Sequence, residues 1–215
     1  MSDINRRNAL KVLGVAPLAG IIDWSAPGVE RARKMVDRLA DDTGIAAYTP
    51  KFYNAHEWKT VRLLADIIIP KDERSGSATD AKAPEFMDFM LAEKDTSEDS
   101  KVQMRGGLAW MDAEMRARFG SDFISSSDTQ RRALLDDIAY GKKVKPELRR
   151  GATFFNRFRA SVGGAFFSSA MGWQDLKYMG NVFNPAWNGC PPEATKKLGV
   201  SYEEFDASLA KGRSK

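Results

Sequence analysis

The side chains that most often carry chemistry are scarce in this sequence, which has one cysteine, Cys190, and one histidine, His56. A single cysteine excludes a framework of internal disulfide bonds. One cysteine and one histidine also fall short of the three or four nitrogen and sulfur ligands of a common zinc site. We therefore predict no metal site, and we expect His56 to be an exposed or capping residue rather than a ligand.

Carboxylates offer general acid–base chemistry, and the candidates are Asp66 with Glu73 and the adjacent pair Asp136 and Asp137. Adjacent acids on a helix usually belong to a solvated face. The sequence has no Gly-x-Ser-x-Gly motif, no Gly-x-Gly-x-x-Gly or Walker loop and no Cys-x-x-Cys-His haem attachment motif. We predict no catalytic and no cofactor-binding residue in this chain, and a stand-alone helical enzyme is the alternative.

The composition is that of a globular chain, with 43% hydrophobic and 29% charged residues among 215. No apolar run approaches the roughly 18 residues that a bilayer-spanning helix needs. The net charge is +4, with basic groups at residues 31–34, 142–145 and 149–150. A nucleic-acid-binding protein usually collects its basic residues in one stripe. We predict no nucleic-acid partner, and a helical DNA-binding or adaptor protein stays an alternative.

The first 26 residues are predicted to be a leader because paired arginines precede a short apolar stretch. The segment "NRRNALK" resembles the twin-arginine export pattern S/T-R-R-x-F-L-K, from which Asn5 and Ala9 depart. No clean Ala-x-Ala cleavage site follows, which favours a leader that stays attached over one that is cleaved. The alternative is the start of an ordinary basic helix. The residues that match the pattern are Arg6, Arg7, Leu10 and Lys11.

Apolar residues at helical spacing predict one all-α, bundle-like domain of six or seven helices over residues 27–215. After a break at Pro27, a helix is expected over residues 29–41. Asn54 and Glu57 form a capping-box pattern at the start of a second helix, which Pro70 ends.

Two further helices are predicted over residues 101–119 and from Ser127, which forms a second capping box with Gln130. Gly141 is the expected C-terminal cap of the latter helix. The pair Gly106 and Gly107 is expected to mark a close helix crossing. A later aromatic face is predicted to be core rather than a cofactor site, and it consists of Phe154, Phe155, Phe158, Val162 and Phe166.

Residues 175–200 are predicted to be a long irregular arm, because they are rich in proline, glycine and aromatic residues. Aromatic residues are enriched in interface cores, and a proline-rich segment loses less entropy when it docks. The alternative is that these aromatics pack on the helices of the chain itself. The predicted partner-interface residues are Trp173, Tyr178, Phe183, Pro185 and Trp187.

Cys190 is a leftover thiol within this arm. In an oxidising compartment such a cysteine can form a disulfide bond with another chain. The other interpretation, a thiol that stays buried or free, remains open.

Two segments carry a family resemblance. "LADIIIPKDE", a polar loop and "APEFMDFML" resemble the gluconate 2-dehydrogenase subunit 3 family, the small subunits of membrane-associated, flavin-dependent sugar dehydrogenases. The later segment "GNVFNPAWNGCPPE" is similar to the tail of one branch of that family. The resemblance covers roughly residues 50–200, and these motifs consist of packing and interface residues rather than a catalytic signature.

The resemblance implies a non-catalytic subunit of a complex. A large subunit of the GMC type would hold FAD and oxidise a sugar or sugar acid, and a multihaem c-type cytochrome would pass electrons onward. The small subunit would hold no cofactor, bind and stabilise the large subunit, and carry it across the inner membrane by the twin-arginine route. The complex would then lie in the periplasm, associated with the inner membrane through the partner subunits.

Overall fold

In the computed structural model, residues 24–41, 48–178, 180 and 189–203 are described. The chain divides into two compact units, Met1–Tyr178 and Met179–Lys215. Every regular element in the described residues is helical, which confirms the predicted all-α class. None of the helices in these ranges is long and apolar enough to cross a membrane.

The first unit contains seven α-helices in its described part. They are α1 (Ala26–Asp41), α2 (Ala55–Ile68), α3 (Ala83–Ala92), α4 (Glu98–Phe119), α5 (Asp128–Ala139), α6 (Arg149–Phe167) and α7 (Ala170–Leu176). Two short 3-10 helices, Gly141–Lys143 and Pro146–Leu148, connect α5 to α6. The second unit contains α8 (Pro192–Leu198).

Local signals start two of these helices as predicted. The side chain of Asn54 accepts hydrogen bonds from the backbone amides of His56 and Glu57, and the Glu57 side chain accepts from the amide of Asn54. Ser127 and Gln130 make the same reciprocal pair at the start of α5. Each box satisfies amides that the first turn of a helix otherwise leaves without a partner.

Helix α6 lies at the centre of the first unit and packs against α2, α3, α4, α5 and α7. The prediction that its aromatic face is core is confirmed, because the five residues named for that face are all buried. Helix α1 packs against α3. Helix residues form most of the core, and loop residues such as Tyr53 and Phe123 are buried in it as well.

A glycine permits the crossing of α4 and α6. A Cβ atom on Gly107 would lie 1.9 Å from Cδ2 of Phe154, whereas a Cβ atom on Gly106 would meet nothing within 4 Å. The expected close crossing is therefore confirmed, and it depends on one glycine of the pair. On the facing helix, a Cβ atom on Gly151 would lie 2.0 Å from the Trp110 ring.

Several predicted boundaries are wrong. Helix α1 begins at Ala26, because Pro27 lies in the first turn, where its missing N–H is not needed. Helix α4 begins at Glu98, three residues early, because Ser97 caps it. Helix α5 ends before Tyr140, and Gly141 starts a 3-10 helix instead of capping α5.

The arm predicted as irregular contains a helix. Helix α8 has Pro192 in its first turn, and its C-cap residue Gly199 adopts a left-handed conformation with φ of 66°. Proline at a helix start and glycine at its end are favourable positions, so the same residues that suggested irregular chain delimit a short helix. The arm also starts later than predicted, because Asp175 still belongs to α7.

Candidate partner interface

The predicted interface residues divide between described and undescribed parts of the chain. Trp173 lies in α7 and Tyr178 follows it, and both are described. Phe183, Pro185 and Trp187 lie outside the described residues, as do the leader residues Arg6, Arg7, Leu10 and Lys11. The geometry of the candidate interface is therefore that of α7 and its surroundings.

Helix α7 is held at a sharp corner after α6. Ser169 caps α7 by accepting a hydrogen bond from the amide of Gly172, and its hydroxyl donates to the carbonyl of Phe166. A Cβ atom on Gly172 would lie 2.2 Å from that same carbonyl oxygen. Only glycine therefore fits at this position without a backbone shift, and the corner fixes the direction of α7.

The end of α7 turns Tyr178 back onto Trp173. Lys177 adopts the left-handed conformation with φ of 55°, and the amide of Tyr178 donates to the carbonyl of Trp173 over 2.9 Å. The two aromatic rings meet edge to face, with centroids 5.6 Å apart. This is the arrangement that the quadrupoles of two aromatic rings favour.

The Trp173 ring also contacts Arg33 of α1. The guanidinium carbon of Arg33 lies 4.3 Å from the ring centroid, within the range of a cation–π interaction. Arg33 also lies 3.7 Å from the carboxylate of Glu30. Trp173 is consequently half-buried against its own chain, which agrees in part with the alternative interpretation of the arm aromatics.

Asp175 ties α7 to the loop after α2. Arg74 donates a hydrogen bond to the carbonyl of Asp175 and lies 3.2 Å from its carboxylate, which is 4% exposed. The loop itself, residues 71–74, is exposed. This loop and α7 therefore present one continuous surface.

Two apolar side chains on this surface stay in solvent. Leu176 is 51% exposed and Tyr178 is 52% exposed. Together with Trp173 they form what we call the α7 patch, an aromatic and apolar area bordered by charged residues. This composition is typical of protein interfaces.

The sequence did not point to a second aromatic cluster around Trp58 in α2. The Tyr48 ring lies 5.6 Å from the Trp58 ring, and the guanidinium carbon of Arg62 lies 5.6 Å from the same ring. Arg62 also donates a hydrogen bond over 2.8 Å to Glu85 of α3. We call Tyr48, Trp58, Arg62 and Glu85 the Trp58 cluster. Its Trp, Tyr and Arg residues are the types that dominate binding hot spots.

Glu85 supports this cluster from the core. Its side chain is 5% exposed, and its second carboxylate oxygen is buried without a hydrogen-bond partner among the described residues. Burial raises the pKa of the Glu85 carboxyl above its usual value, although Arg62 opposes that shift. Glu85 is one of two acidic residues in the otherwise apolar sequence of α3, and this is the signal that could have revealed the cluster.

Asp88, one turn further along α3, anchors the chain segment before α2. Its fully buried carboxylate accepts hydrogen bonds from the Tyr48 hydroxyl and from the amides of Lys51, Phe52 and Tyr53. Four donors compensate for the loss of water around the carboxylate. The anchor fixes Tyr48 beside Trp58, and burial is the main cause that raises the pKa of the Tyr48 hydroxyl.

The residues considered for chemistry make structural contacts. His56 lies exposed in the first turn of α2, as expected, with Nε2 2.6 Å from the carboxylate of Asp112. Asp66 accepts hydrogen bonds from the amide and hydroxyl of Thr79, and Asp137 accepts one from Arg118. Across residues 24–41, 48–178, 180 and 189–203, no three His, Cys, Asp or Glu side chains gather in a way that could hold a metal ion.

Cys190 belongs to the second unit and is exposed with a free thiol. Its backbone amide donates a hydrogen bond over 2.7 Å to the hydroxyl of Tyr202. Cys190 precedes α8 in the sequence and Tyr202 follows it, so this bond joins the two ends of the helix. A Cβ atom on Gly189 would lie 2.8 Å from the Tyr202 ring, and Gly189 has a φ of 87°. The second unit therefore holds Cys190 on an ordered turn, and its disulfide bond to another chain stays a prediction.

Comparison with known proteins identifies one family. The family model described as gluconate 2-dehydrogenase subunit 3 matches residues 55–185, which is more than half of the chain. No curated protein and no solved structure matches the chain. The matched range includes α2 to α7, so it contains the α7 patch and most of the Trp58 cluster, and it excludes α1, α8 and Cys190.

Proposed function

Since the chain belongs to the gluconate 2-dehydrogenase subunit 3 family, we propose that it is the non-catalytic small subunit of an FAD-dependent sugar dehydrogenase complex. The family match is the observation that carries this proposal. In this function the chain binds and stabilises a large catalytic subunit and holds no cofactor itself. FAD belongs to the large, GMC-type subunit, and c-type haem belongs to a multihaem cytochrome subunit.

The α7 patch supports the binding part of this proposal. Leu176 and Tyr178 expose about half of their surface, and Trp173 is held by contacts with Arg33 and Tyr178. Burying exposed apolar area stabilises a complex by about 25 cal/mol for each Å² removed from water. A prearranged aromatic group also loses little conformational entropy on binding. We propose that this patch contacts the large subunit.

The Trp58 cluster offers a second contact on the same unit. Trp58 and Arg62 are held in place by Tyr48 and Glu85 before any partner binds. We propose that they contribute to the same interface or extend it. Arg62 keeps 40% of its side chain exposed, so it remains available to a carboxylate of the partner.

The export part of the proposal comes from the leader. The twin-arginine pattern at Arg6 and Arg7 fits a chain that crosses the inner membrane folded and bound to its partner. We propose that the complex works in the periplasm and that it is associated with the inner membrane through the partner subunits.

The test is the isolation of the tagged native chain from its own host, with an absorbance spectrum of the purified material. We expect a larger chain to copurify in fixed ratio and to carry the absorbance bands of oxidised flavin. Screening sugars and sugar acids with an artificial electron acceptor would then identify the substrate. A chain that purifies alone and without colour would contradict the proposed function.

A second experiment tests the α7 patch itself, with a variant in which Trp173, Leu176 and Tyr178 are each changed to serine. If the α7 patch is the interface, this variant should remain folded by circular dichroism and lose the flavin-containing chain. Retention of the large subunit by the variant would show that the partner binds elsewhere.

A further inference from the structure

The connection between α5 and α6, together with the first two residues of α6, has an excess of positive charge. Residues 142–150 contain five basic residues and one acidic residue, Glu147, which is an excess of four positive charges. The net charge of all 215 residues is also +4, so positive and negative charges balance over the remainder. The excess of basic over acidic residues in this short segment is therefore as large as that of the whole chain.

For four of these five basic residues, the described part of the chain supplies no carboxylate in an ion pair. The side chains of Lys143, Lys145, Arg149 and Arg150 are exposed. None of the four forms an ion pair with a described residue, whereas Arg118 and Arg132 on the neighbouring helices α4 and α5 both do. Exposed basic groups that outnumber the acidic groups of the same segment produce a positive potential that extends roughly one Debye length, about 8 Å at physiological salt.

The segment is fixed to the body of the first unit. Leu148 is 5% exposed and packs in the core, and the amide of Leu148 donates to the carbonyl of Lys145. The first turn of α6 contains no acidic residue, and its N-cap residue makes no side-chain hydrogen bond. The positive end of the helix dipole therefore adds to the charge of Arg149 and Arg150.

Apolar side chains accompany the basic ones. Tyr140 is 46% exposed just before the segment, and Val144 is partly exposed between Lys143 and Lys145. Basic residues beside an exposed tyrosine are the composition found at membrane–water interfaces, where the ring lies among the headgroups and the cations bind anionic lipids. We call residues 140–150 the basic connector.

We propose that the basic connector docks the first unit onto the headgroups of an anionic phospholipid membrane. The contact is direct, and it adds to the membrane association through partner subunits proposed above. The choice of a lipid surface over a nucleic acid rests on the proposed function, which places the chain at the inner membrane. A docked connector would hold the small subunit on the bilayer surface even before it meets its partners.

The test is cosedimentation of the purified full chain, without any partner, with vesicles of phosphatidylcholine containing one-third phosphatidylglycerol. The variant has four changes, Lys143→Gln, Lys145→Gln, Arg149→Gln and Arg150→Gln. The matched control removes the same charge from dispersed, exposed residues that form no ion pair within the described chain: Arg38→Gln, Lys59→Gln, Lys71→Gln and Lys94→Gln. Circular dichroism and thermal unfolding check that both variants remain folded.

We expect the native chain and the control to bind these vesicles at about 0.1 M salt, and to dissociate as salt increases. Each basic residue near such a surface strengthens binding roughly fivefold, so the connector variant should bind at least about a hundredfold more weakly. Equal binding by the two variants, or binding to pure phosphatidylcholine, would overturn the proposal. Tighter connector-dependent binding to duplex DNA than to the vesicles would overturn it too. Because no partner is present, the result is independent of the copurification test.

Discussion

The guanidinium carbon of Arg33 lies 4.3 Å from the centroid of the Trp173 ring and thereby joins α1 to α7. The contact covers one face of the indole, and the Tyr178 ring packs against Trp173 at a steep angle with centroids 5.6 Å apart. Trp173 therefore connects α1 to the exposed side chain of Tyr178.

The contact between Arg33 and Trp173 should contribute measurably to the stability of the chain. In a double-mutant cycle with Arg33→Ala and Trp173→Ala, we expect a coupling free energy of about 0.5–1 kcal/mol in urea unfolding, because the cation–π contact is partly exposed. The cycle isolates the pairwise contribution from the separate loss of Trp173 packing. Additive effects of the two substitutions would mean that the contact contributes nothing to stability.

Tyr178 should matter more for binding than for folding. Its side chain is half exposed, so Tyr178→Ala should change the free energy of unfolding by about 1 kcal/mol or less. If the α7 patch is the interface, the same change should weaken binding of the large subunit by about 2 kcal/mol or more in titration calorimetry. Tyr140→Ala, which removes a tyrosine of similar exposure elsewhere, is the control.

Alanine substitutions at the two adjacent glycines of α4 should change the stability of the chain in opposite directions. Gly107→Ala places a Cβ atom inside the Phe154 ring and should destabilise the chain by about 1–3 kcal/mol. Gly106→Ala meets open space and should stabilise α4 by about 0.5–1 kcal/mol, because alanine loses less backbone entropy. Thermal unfolding of both variants measures the difference, and equal melting temperatures would show that α4 and α6 cross elsewhere.

Glu85 should make stability depend on pH. Burial raises its pKa in the folded chain, so between the usual carboxyl pKa of 4.5 and the higher folded value the folded state binds more protons than the unfolded state. The contribution of Glu85 to the free energy of unfolding is therefore highest at low pH and decreases as pH rises through this window.

The variant Glu85→Gln cannot titrate, so its free energy of unfolding should decrease less than that of the native chain as pH rises from about 4.5. Urea unfolding over a pH series measures this difference. Glu73→Gln, at an exposed position in the loop after α2, is the control for a lost charge. A steeper decrease for Glu85→Gln than for the native chain would contradict the assignment.

If the leader is an export signal, the export of this chain and the export of its large partner should both depend on it. Replacing Arg6 and Arg7 by lysine should leave the folded unit intact and retain both this chain and its large partner in the cytoplasm. Fractionation of cells followed by detection of both chains measures the outcome. Normal export of both would contradict the escort role, and export of the large partner alone would show that it carries its own signal.

The sequence predicted the α7 patch only in part. Aromatic and proline-rich composition pointed to Trp173 and Tyr178, and the structure places them together with Leu176 on one surface. The Trp58 cluster was missed because its members lie on three separate segments. Trp58 and Arg62 share a face of α2 at a spacing of four residues, but nothing local shows that Tyr48 and Glu85 join them.

The helical class and the capped starts of α2 and α5 follow from the sequence by itself, because their signals are local. Asn54 contacts Glu57, and Ser127 contacts Gln130, across three residues in each case. Such contacts form whenever the helix forms, so the residue types are sufficient to predict them.

Only the tertiary structure decided which distant residues meet. Asp88 binds the amides of residues 51–53 across about 35 residues of chain, and Arg33 meets Trp173 across the whole first unit. The entropy lost in closing such long loops is recovered only when the complete core packs, so no short segment records these contacts. The same packing turned two ordinary sequence features, Gly107 and the basic connector, into a close helix crossing and an exposed charged surface.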